Sequence, residues 1–198
     1  ASYDIRECDV KESGSKSTAV KFRMNWKNLA ELINSGYDAV KSVFPGSTVI
    51  VHLDNGYDKE LYRWFFDELK ANGGKWDMIG MSIYPYWTMM EKPEYTPEKT
   101  INDCIENIRL VNERYNCDVM IVETGMECAD DNGKLVDTET LNEGHRLLRN
   151  LINQSIEKTN GICKGVFYWE PECKPSKYRL GAFTEDGKPT EIMDAFMQ

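Results

Sequence analysis

The sequence predicts an α/β protein in which helices cover a parallel β-sheet. Four short apolar runs, rich in β-branched residues, alternate along the chain with amphipathic segments whose apolar residues recur at helical spacing. The runs are apolar at nearly every position rather than at every second one, which is typical of strands buried on both faces. No GxGxxG or GxxxxGK[ST] motif follows any of these runs, so the nucleotide-binding members of this class are disfavoured.

The first half of the chain provides two predicted helices and one strand. Residues 1–23 lack clear periodicity and are predicted to form a loop, with a short hairpin as the alternative. Residues 25–44 carry apolar side chains at helical spacing and stop at a Pro-Gly pair. Residues 47–56 are a β-branched run closed by Asn-Gly, which predicts a strand and a turn. Residues 58–74 predict an amphipathic helix that ends at a glycine pair.

The second half continues the same alternation. Its first strand is predicted to stop at Pro85, because proline cannot donate to a sheet ladder. The next helix has Thr96 as its N-cap and Pro97 at its first position, and the long helix after it is capped by Asp137 or Thr138. The elements predicted here are strands within 76–87, 119–123 and 163–173, helices over 96–116 and 137–161, and a short helix over 190–198.

Composition and charge narrow the function. The 24 basic and 33 acidic residues give a net charge of −9, which argues against nucleic acid or an anionic membrane as a partner. No apolar run approaches the roughly 20 residues of a membrane span, and no signal peptide is visible. The six cysteines show no CxxC pair and no zinc-type spacing, and no metal or cofactor is predicted. Buried free thiols are favoured over disulfides, because Cys104, Cys117 and Cys163 lie in or beside apolar segments.

Polar and aromatic residues recur where the four predicted strands end. In a (β/α)₈ barrel and in an open doubly wound sheet alike, ligands bind at this carboxyl edge, so both architectures remain open at this point. Carboxylates beside flat aromatic surfaces suit glycoside hydrolysis, which needs two carboxylates and a platform for the sugar. The candidates are His52 and Asp54 after the first strand, Tyr84, Tyr86 and Trp87 after the second, Glu123 after the third, and Trp169 and Glu170 after the fourth.

Each candidate also has a purely structural interpretation. His52 can be an ordinary structural histidine and Asp54 a turn residue, Trp87 and Trp169 can fill a core, and Glu170 can cap a loop. A glutamate that ends a strand is itself more often a solvated loop residue or a helix cap. Only the joint placement of these residues at four successive strand ends favours a functional site.

The segments WKNLAELINSGYDAVKSVFPGSTVIVHLDNG, WFFDELKANGGKWDMIGMSIYPYW, VMIVETG and GVFYWEPE together resemble glycoside hydrolase family 53, the endo-β-1,4-galactanases. The resemblance implies a (β/α)₈ barrel and a retaining hydrolase that acts on (arabino)galactan. It implies that Glu123 is the nucleophile and that Tyr84 hydrogen-bonds and orients it. It further implies that His52, Asp54, Trp87 and Trp169 contact or orient the sugar, and Tyr86 and Glu170 lie at the same edge. Some members bind calcium near the last strand's loop, which is short here.

The sequence departs from this family in one respect: it contains no Gly-Asn-Glu, the motif that carries the family's acid/base glutamate. We therefore expect residues 1–198 to form one partial catalytic domain, with 1–23 as the loop after an absent strand 4 and 24–198 as helix 4 and βα units 5–8. Such a half barrel is expected to be inactive alone, because neither Glu170 nor Asp54 is a good substitute for the acid/base. It is also expected either to pair with a second copy through its cut edges or to be poorly soluble. A secreted, periplasmic or cell-surface location follows from the resemblance.

Two other hypotheses compete with the enzyme. The first is a non-catalytic half barrel that binds carbohydrate through its aromatic residues. The second is an unrelated open α/β domain, which a sheet of antiparallel strands or a scattered set of candidate residues would favour.

Overall fold

The structure is a computed structural model that describes the backbone of residues 6–10 and 20–197 and the side chains of residues 25–197. The strands are β1 (Arg6–Val10), β2 (Val20–Met24), β3 (Ile50–Leu53), β4 (Met78–Ile83), β5 (Asp118–Thr124) and β6 (Cys163–Val166). The helices are α1 (Trp26–Val43), α2 (Lys59–Ala71), α3 (Pro85–Glu91), α4 (Pro97–Tyr115) and α5 (Thr138–Glu157), followed by a 3₁₀ helix at Glu191–Phe196.

The chain divides into two compact units. The first consists of Ala1–Val49 and Arg63–Asp77, and the second of Ile50–Tyr62 and Met78–Gln198. The second unit contains a four-stranded sheet in the order β3-β4-β5-β6, and every neighbouring pair in it is parallel. The predicted α/β class with a parallel sheet is therefore confirmed.

Of the two central strands of this sheet, β4 is buried on both faces and β5 on one. All six residues of β4 are buried, and Ile121 of β5 is fully enclosed. Helix α4 contributes Ile101, Ile105 and Ile108 to the same apolar core, each at most 1% exposed. The burial of β4 on both faces is what its uninterrupted apolar run predicts, whereas the apolar run of β5 has one face only half-buried.

The first unit holds the β1–β2 pair, helix α1 and most of α2. Strands β1 and β2 pair antiparallel, so the hairpin alternative for residues 1–23 is confirmed for the described part, while residues 1–5 and 11–19 lie outside it. Helix α1 begins after Asn25, whose side chain accepts a hydrogen bond from the backbone N–H of Asn28 at 3.1 Å. Trp26 then packs edge-to-face against Trp64, with ring centroids 5.1 Å apart.

The helix ends of the second unit follow the predicted caps. The Thr96 hydroxyl accepts from the Lys99 N–H at 3.2 Å, and the Asp137 carboxylate accepts from the Thr140 N–H at 2.8 Å. The cap of α5 is therefore Asp137 rather than Thr138. Helix α4 ends at Asn116, which takes the left-handed conformation with φ of 52°.

One element was not predicted from the sequence. The strand predicted to stop at Pro85 does so, since β4 ends at Ile83, but Tyr86 and Trp87, which follow it, lie on helix α3. Pro85 is the first residue of that helix, where its missing N–H costs nothing because the first helical N–H groups have no partner within the helix. The final predicted helix is a 3₁₀ helix.

Two further sequence expectations can be compared with the described residues. Cys104, Cys117, Cys128, Cys163 and Cys173 are free thiols, and burial raises the pKa of Cys128 to about 11. The side chain of Cys8 lies outside the described part. Among the helices of the described ranges, none combines the length and apolar character that crossing a membrane requires.

Candidate functional site at the carboxyl edge of the sheet

The four parallel strands of the second unit end at one edge, and most of the candidate residues lie there. Because the strands run in the same direction, the segments that follow β3, β4, β5 and β6 leave the sheet on the same side. At this edge the Thr124 hydroxyl donates to the Ile83 carbonyl at 2.7 Å, and the Trp169 N–H donates to the Thr124 carbonyl at 2.9 Å. The ends of three strands are thus held together by direct hydrogen bonds.

A bulge in β5 sets the position of Glu123. The pairing of β4 with β5 runs from Met81 opposite Ile121 directly to Ser82 opposite Glu123, so that Val122 is an extra residue without a partner of its own. In-register residues on neighbouring parallel strands point to the same face. The bulge therefore brings the carboxylate of Glu123, rather than the side chain of Val122, beside Ser82.

Glu123 is the centre of a compact hydrogen-bond network. Its Oε2 accepts from the Ser82 hydroxyl at 2.9 Å and from the Tyr84 hydroxyl at 3.1 Å. His52 Nε2 lies 2.5 Å from the Ser82 Oγ, and its Nδ1 lies 3.8 Å from Glu123 Oε1. The structure thus brings together three residues predicted from the sequence. Tyr84 bonds Glu123 directly, and His52 reaches it through Ser82, which was not among the candidates.

The environment keeps Tyr84 a hydrogen-bond donor. Burial, the adjacent phenol of Tyr178 and the charge of Glu123, in that order, raise the pKa of Tyr84 far above its ordinary value of 10.0. Its hydroxyl therefore remains protonated and can donate to the carboxylate over the whole working pH range. Since Glu123 is about three-quarters buried at its side chain (24% exposed), these donors meet it in a partly water-excluded setting.

The two candidates on α3 lie beside an arginine. Tyr86 and Trp87 contact each other edge-to-face, with centroids 4.8 Å apart, and Trp87 is 40% exposed. The guanidinium of Arg179 lies over the Tyr86 ring at 4.6 Å from its centroid. Arg179 also pairs with Glu127 at 2.6 Å and with Asp131. This arginine ties the segment after β6 to the segment after β5 and to α3.

The remaining candidates lie outside the hydrogen-bond network around Glu123. Trp169 is 44% exposed and is anchored through its backbone. Glu170 adopts a φ of 46°, and its carboxylate accepts a long hydrogen bond from the Cys173 thiol at 3.6 Å. Asp54 accepts from the backbone N–H of Asn55 at 2.7 Å, which is the turn role that its sequence context allows. The sugar-binding roles of these residues stay predictions.

Sequence reasoning missed three residues that shape this edge. Ser82 bridges His52 and Glu123, Arg179 holds Tyr86, and Tyr168 accepts from the Met126 N–H at 2.8 Å and donates to the Gly181 carbonyl at 3.1 Å. Ser82 and Tyr168 were visible at strand ends, but neither residue type marks a site by itself. Arg179 lies nine residues beyond the last predicted site residue, and no local pattern points to it.

Among the residues whose side chains the structure describes, no group of three or more His, Cys, Asp or Glu side chains is placed to hold a metal ion. The candidate site therefore consists of an ionisable carboxylate, its hydroxyl and imidazole neighbours, and exposed aromatic rings.

The fold and site define a class of protein, the α/β proteins whose functional groups collect at the carboxyl ends of parallel strands. Residues 10–195 match the sequence profile of Glycosyl hydrolase family 53. Because this match covers most of the chain, the protein belongs to that family.

Individual relatives are consistent with this assignment. A protein from Niallia circulans described as an uncharacterized protein in the bgaB 5′ region is 32% identical over 165 residues, which cover 77% of this chain and 42% of the relative. The probable arabinogalactan endo-β-1,4-galactanase A of Neosartorya fischeri is 26% identical over 160 residues, covering 74% of this chain and 42% of the relative. The chain thus spans less than half the length of these curated relatives.

Solved structures extend the comparison to the fold. A structure from a study of two fungal β-1,4-galactanases matches 88% of this chain and 55% of its own, with a TM-score of 0.67 and 22% sequence identity. At this level of identity the match establishes the fold. The four parallel strands and their helices correspond to about half of a (β/α)₈ barrel.

Proposed function

We propose that this chain provides the nucleophile and the sugar-binding side of a retaining endo-β-1,4-galactanase. The observation that carries this proposal is the environment of Glu123, whose Oε2 accepts two hydroxyl hydrogen bonds at the carboxyl end of a parallel strand. Membership of glycosyl hydrolase family 53 and the galactanase names of several relatives support the substrate class.

In the proposed reaction Glu123 attacks the anomeric carbon of a galactosyl unit while the bond from that carbon to the leaving oxygen breaks. The products of this step are a glycosyl ester on Glu123 and a leaving sugar that takes a proton from a second carboxylic acid. Water, deprotonated by that same second group, then attacks the ester and releases Glu123 as a carboxylate. The oxygen that attacks is Oε1, because the described residues place two hydrogen bonds on Oε2 and none on Oε1.

The second carboxylic acid is proposed to lie outside these 198 residues. A retaining pair is separated by about 5 to 5.5 Å, and the sequence has no Gly-Asn-Glu segment to supply the partner. Asp54 is engaged in its own turn, and Glu170 is the acceptor of a bond from Cys173. We therefore propose that this chain alone does not hydrolyse galactan and that activity requires a segment carrying the acid/base glutamate.

The proposed substrate and location follow from the same chemistry. A neutral galactan suits a protein of net charge −9 that exposes Trp87 and Trp169 at the candidate site, since sugar rings stack on aromatic faces. A polysaccharide does not diffuse across membranes. We therefore propose that the protein works outside the cytoplasm, as a secreted, periplasmic or cell-surface protein.

A second candidate function is carbohydrate binding without catalysis. The exposed aromatic rings at an edge with a single well-placed carboxylate favour it.

The two outer strands of the four-stranded sheet, β3 and β6, each pair on one side only within the described residues. We propose that these open edges pair with a complementary barrel half or a second copy, and sedimentation of the isolated chain as a stable monomer at micromolar concentration would contradict this.

The test of the proposed function is covalent trapping. A 2-deoxy-2-fluoro β-galactobioside with a dinitrophenolate leaving group needs no proton donor, so the nucleophile can displace it without the acid/base residue. Mass spectrometry is expected to find one glycosyl ester on Glu123 and no ester in the variant Glu123→Gln. The experiment is done with the chain alone and with a protein that also carries the acid/base segment. A label on another residue, or galactan hydrolysis by that longer protein bearing Glu123→Gln, would contradict the proposal.

A further inference from the structure

Ser82 lies within hydrogen-bond distance of both His52 and Glu123. Its Oγ is 2.5 Å from His52 Nε2 and 2.9 Å from Glu123 Oε2, and its side chain is buried, with 1% of the residue exposed. The direct approach of His52 to Glu123 is longer, 3.8 Å from Nδ1 to Oε1, which is beyond hydrogen-bond range. Hydrogen bonding between the imidazole and the carboxylate therefore passes through the serine hydroxyl.

The number of hydrogens in this network restricts its arrangement. A serine hydroxyl has one hydrogen to donate, and an ionised carboxylate can only accept. When Glu123 is ionised, the Ser82 hydrogen points to Oε2, and the only group left to supply a hydrogen between Oγ and the ring is His52 Nε2. The reverse order, with Ser82 donating to an unprotonated Nε2, would require Glu123 to carry the proton.

We propose that Ser82 is a positioning residue that fixes His52 as the Nε2–H tautomer and holds the Glu123 carboxylate at Oε2, which leaves Oε1 free to react. The catalytic meaning of this arrangement rests on the proposed function, whereas the tautomer and the direction of the hydrogen bonds do not. A nucleophilic carboxylate must present an oxygen with a free lone pair to the anomeric carbon, so an arrangement that leaves Oε1 without a hydrogen bond from the described residues favours the first chemical step.

The backbone around Ser82 is held in a way that suits this role. The bulge at Val122 brings Glu123 into register with it, and the Ser82 carbonyl accepts from the Gly56 N–H at 2.7 Å. Gly56 belongs to the turn that follows β3, the strand that carries His52. This hydrogen bond fixes the turn after β3 to the end of β4. These are the two strands that carry His52 and Ser82.

The chain contains only two histidines, His52 and His145, so nuclear magnetic resonance can resolve both rings. With histidine labelled by ¹⁵N, long-range proton–nitrogen spectra at a pH where both rings are neutral report which nitrogen carries the hydrogen. For His52 we expect the Nε2–H tautomer alone, together with a low-field proton resonance on Nε2 that exchanges slowly with water. A His52 in the Nδ1–H form, or in a mixture of both tautomers, would overturn the proposal without any variant being needed.

The variant Ser82→Ala removes the acceptor of this hydrogen. We expect loss of the low-field resonance and a change to a tautomer mixture at His52, with His145 unaffected. Ser155→Ala is the matched control, because Ser155 is equally buried and its hydroxyl donates to the Ile152 carbonyl in its own helix at 2.8 Å. Far-ultraviolet circular dichroism establishes that each variant is folded, and an unchanged His52 spectrum in folded Ser82→Ala would contradict the proposal.

The spectrum is independent of galactan hydrolysis, so the two proposals can fail separately. A protein that shows the expected tautomer but no label on Glu123 would leave the role of Ser82 standing and remove the proposed function. A labelled Glu123 beside an Nδ1–H His52 would do the reverse.

Discussion

Ser82 and Glu123 lie opposite each other on neighbouring parallel strands because β5 contains one more residue than β4 at that point. Val122 is the extra residue, and in a ladder without this bulge Val122 would lie opposite Ser82 and Glu123 opposite Ile83. A β-bulge that re-aims a side chain next to a functional group is a common device at sheet edges. Here it places the carboxylate within 2.9 Å of a buried hydroxyl, and the proposed chemistry depends on this placement.

The first prediction concerns Tyr84→Phe in a galactanase that contains this chain and the acid/base segment. When the glycosyl ester breaks down, negative charge returns to Glu123, and the Tyr84 hydroxyl stabilises that charge from 3.1 Å. Removing one such donor is expected to lower kcat by roughly 100-fold. Because the ester then accumulates, KM is expected to fall as well. Steady-state kinetics on galactan measure both constants.

High pH should not mimic this substitution, because burial and the neighbouring Tyr178 and Glu123 raise the pKa of Tyr84 well above 10.0. The control is Tyr37→Phe, which alters a tyrosine bonded to Asp77 in the first unit and should leave kcat within about twofold, too small a change to count as a lost donor. A fall in kcat with an unchanged or higher KM in Tyr84→Phe would contradict the assignment to ester breakdown.

The second prediction concerns sugar binding by Trp169. Its ring is 44% exposed while its backbone is fixed by the bond to Thr124, so it offers a flat surface on a rigid support. Trp169→Ala is expected to weaken galacto-oligosaccharide binding by the isolated chain about fivefold to tenfold, equivalent to the loss of about 1 kcal/mol of stacking. Isothermal titration calorimetry measures the affinity.

The matched control for Trp169→Ala is Trp64→Ala, which removes a tryptophan of the first unit that is exposed to a similar extent, 49%. This change should leave the affinity unaltered. Equal weakening in the two variants would indicate nonspecific stacking, and undiminished binding by Trp169→Ala would remove this residue from the site.

The third prediction concerns the turn after β3. A Cβ at Gly56 would lie 3.0 Å from the Ser82 carbonyl oxygen and 3.1 Å from the Cys104 sulfur, so Gly56→Ala requires both neighbours to move. We expect a loss of about 1 to 3 kcal/mol in the free energy of unfolding, the usual range for overpacking. We also expect the His52 resonances to shift, because the Ser82 backbone must adjust. Urea titration and the histidine spectra provide the two measurements.

Gly36→Ala is the corresponding control, since Gly36 lies inside α1 and, apart from its chain neighbours and the helix's own backbone, no atom of the described residues comes within 4 Å of the added carbon. Alanine is the better helix former, so this variant is expected to gain roughly 0.5 to 1 kcal/mol in stability. If Gly56→Ala were as stable as the unaltered chain, the close contact at the Ser82 carbonyl would not exist in solution.

Several elements could be predicted because their signals are local. The hydroxyl of Thr96 and the ring of Pro97 act within one turn of the helix they begin, so the sequence alone indicates where α4 starts. The apolar run of β4 likewise reflects burial on both faces. Once the strands are known to be parallel, the convergence of His52 and Glu123 follows from topology.

Other features depend on signals that are ambiguous or distant. Proline is compatible both with the end of a strand and with the first position of a helix. The residue predicted to stop β4 is therefore also the first residue of α3. The extra residue Val122 looks like one more member of an apolar run, and only the partner strand reveals that it is unpaired. Arg179 reaches Tyr86 across 93 positions of sequence, a contact that periodicity cannot reveal.

The last prediction concerns acid stability of the first unit. The Asp77 carboxylate accepts from the Tyr37 hydroxyl at 2.8 Å and from the Val49 N–H at 2.7 Å, and it pairs with Lys41 at 2.7 Å. Burial opposes ionisation, but the contacts with Lys41, Val49 and Tyr37 outweigh it and lower the pKa of Asp77 below its ordinary value of 3.8.

Because the folded state lowers this pKa, it binds fewer protons at Asp77 than the unfolded chain does. The resulting stabilisation is fully present above about pH 4 to 5 and is lost as the pH falls through the pKa of the folded state. Asp77→Asn should therefore cost about 1 kcal/mol at pH 7 and much less near pH 2 to 3, by urea unfolding at both pH values. Asp38→Asn is the control, because its pair with Lys75 leaves the Asp38 side chain 60% exposed and screened by water. An equal loss for Asp77→Asn at pH 7 and at low pH would show that packing, rather than the charge of the carboxylate, accounts for its contribution.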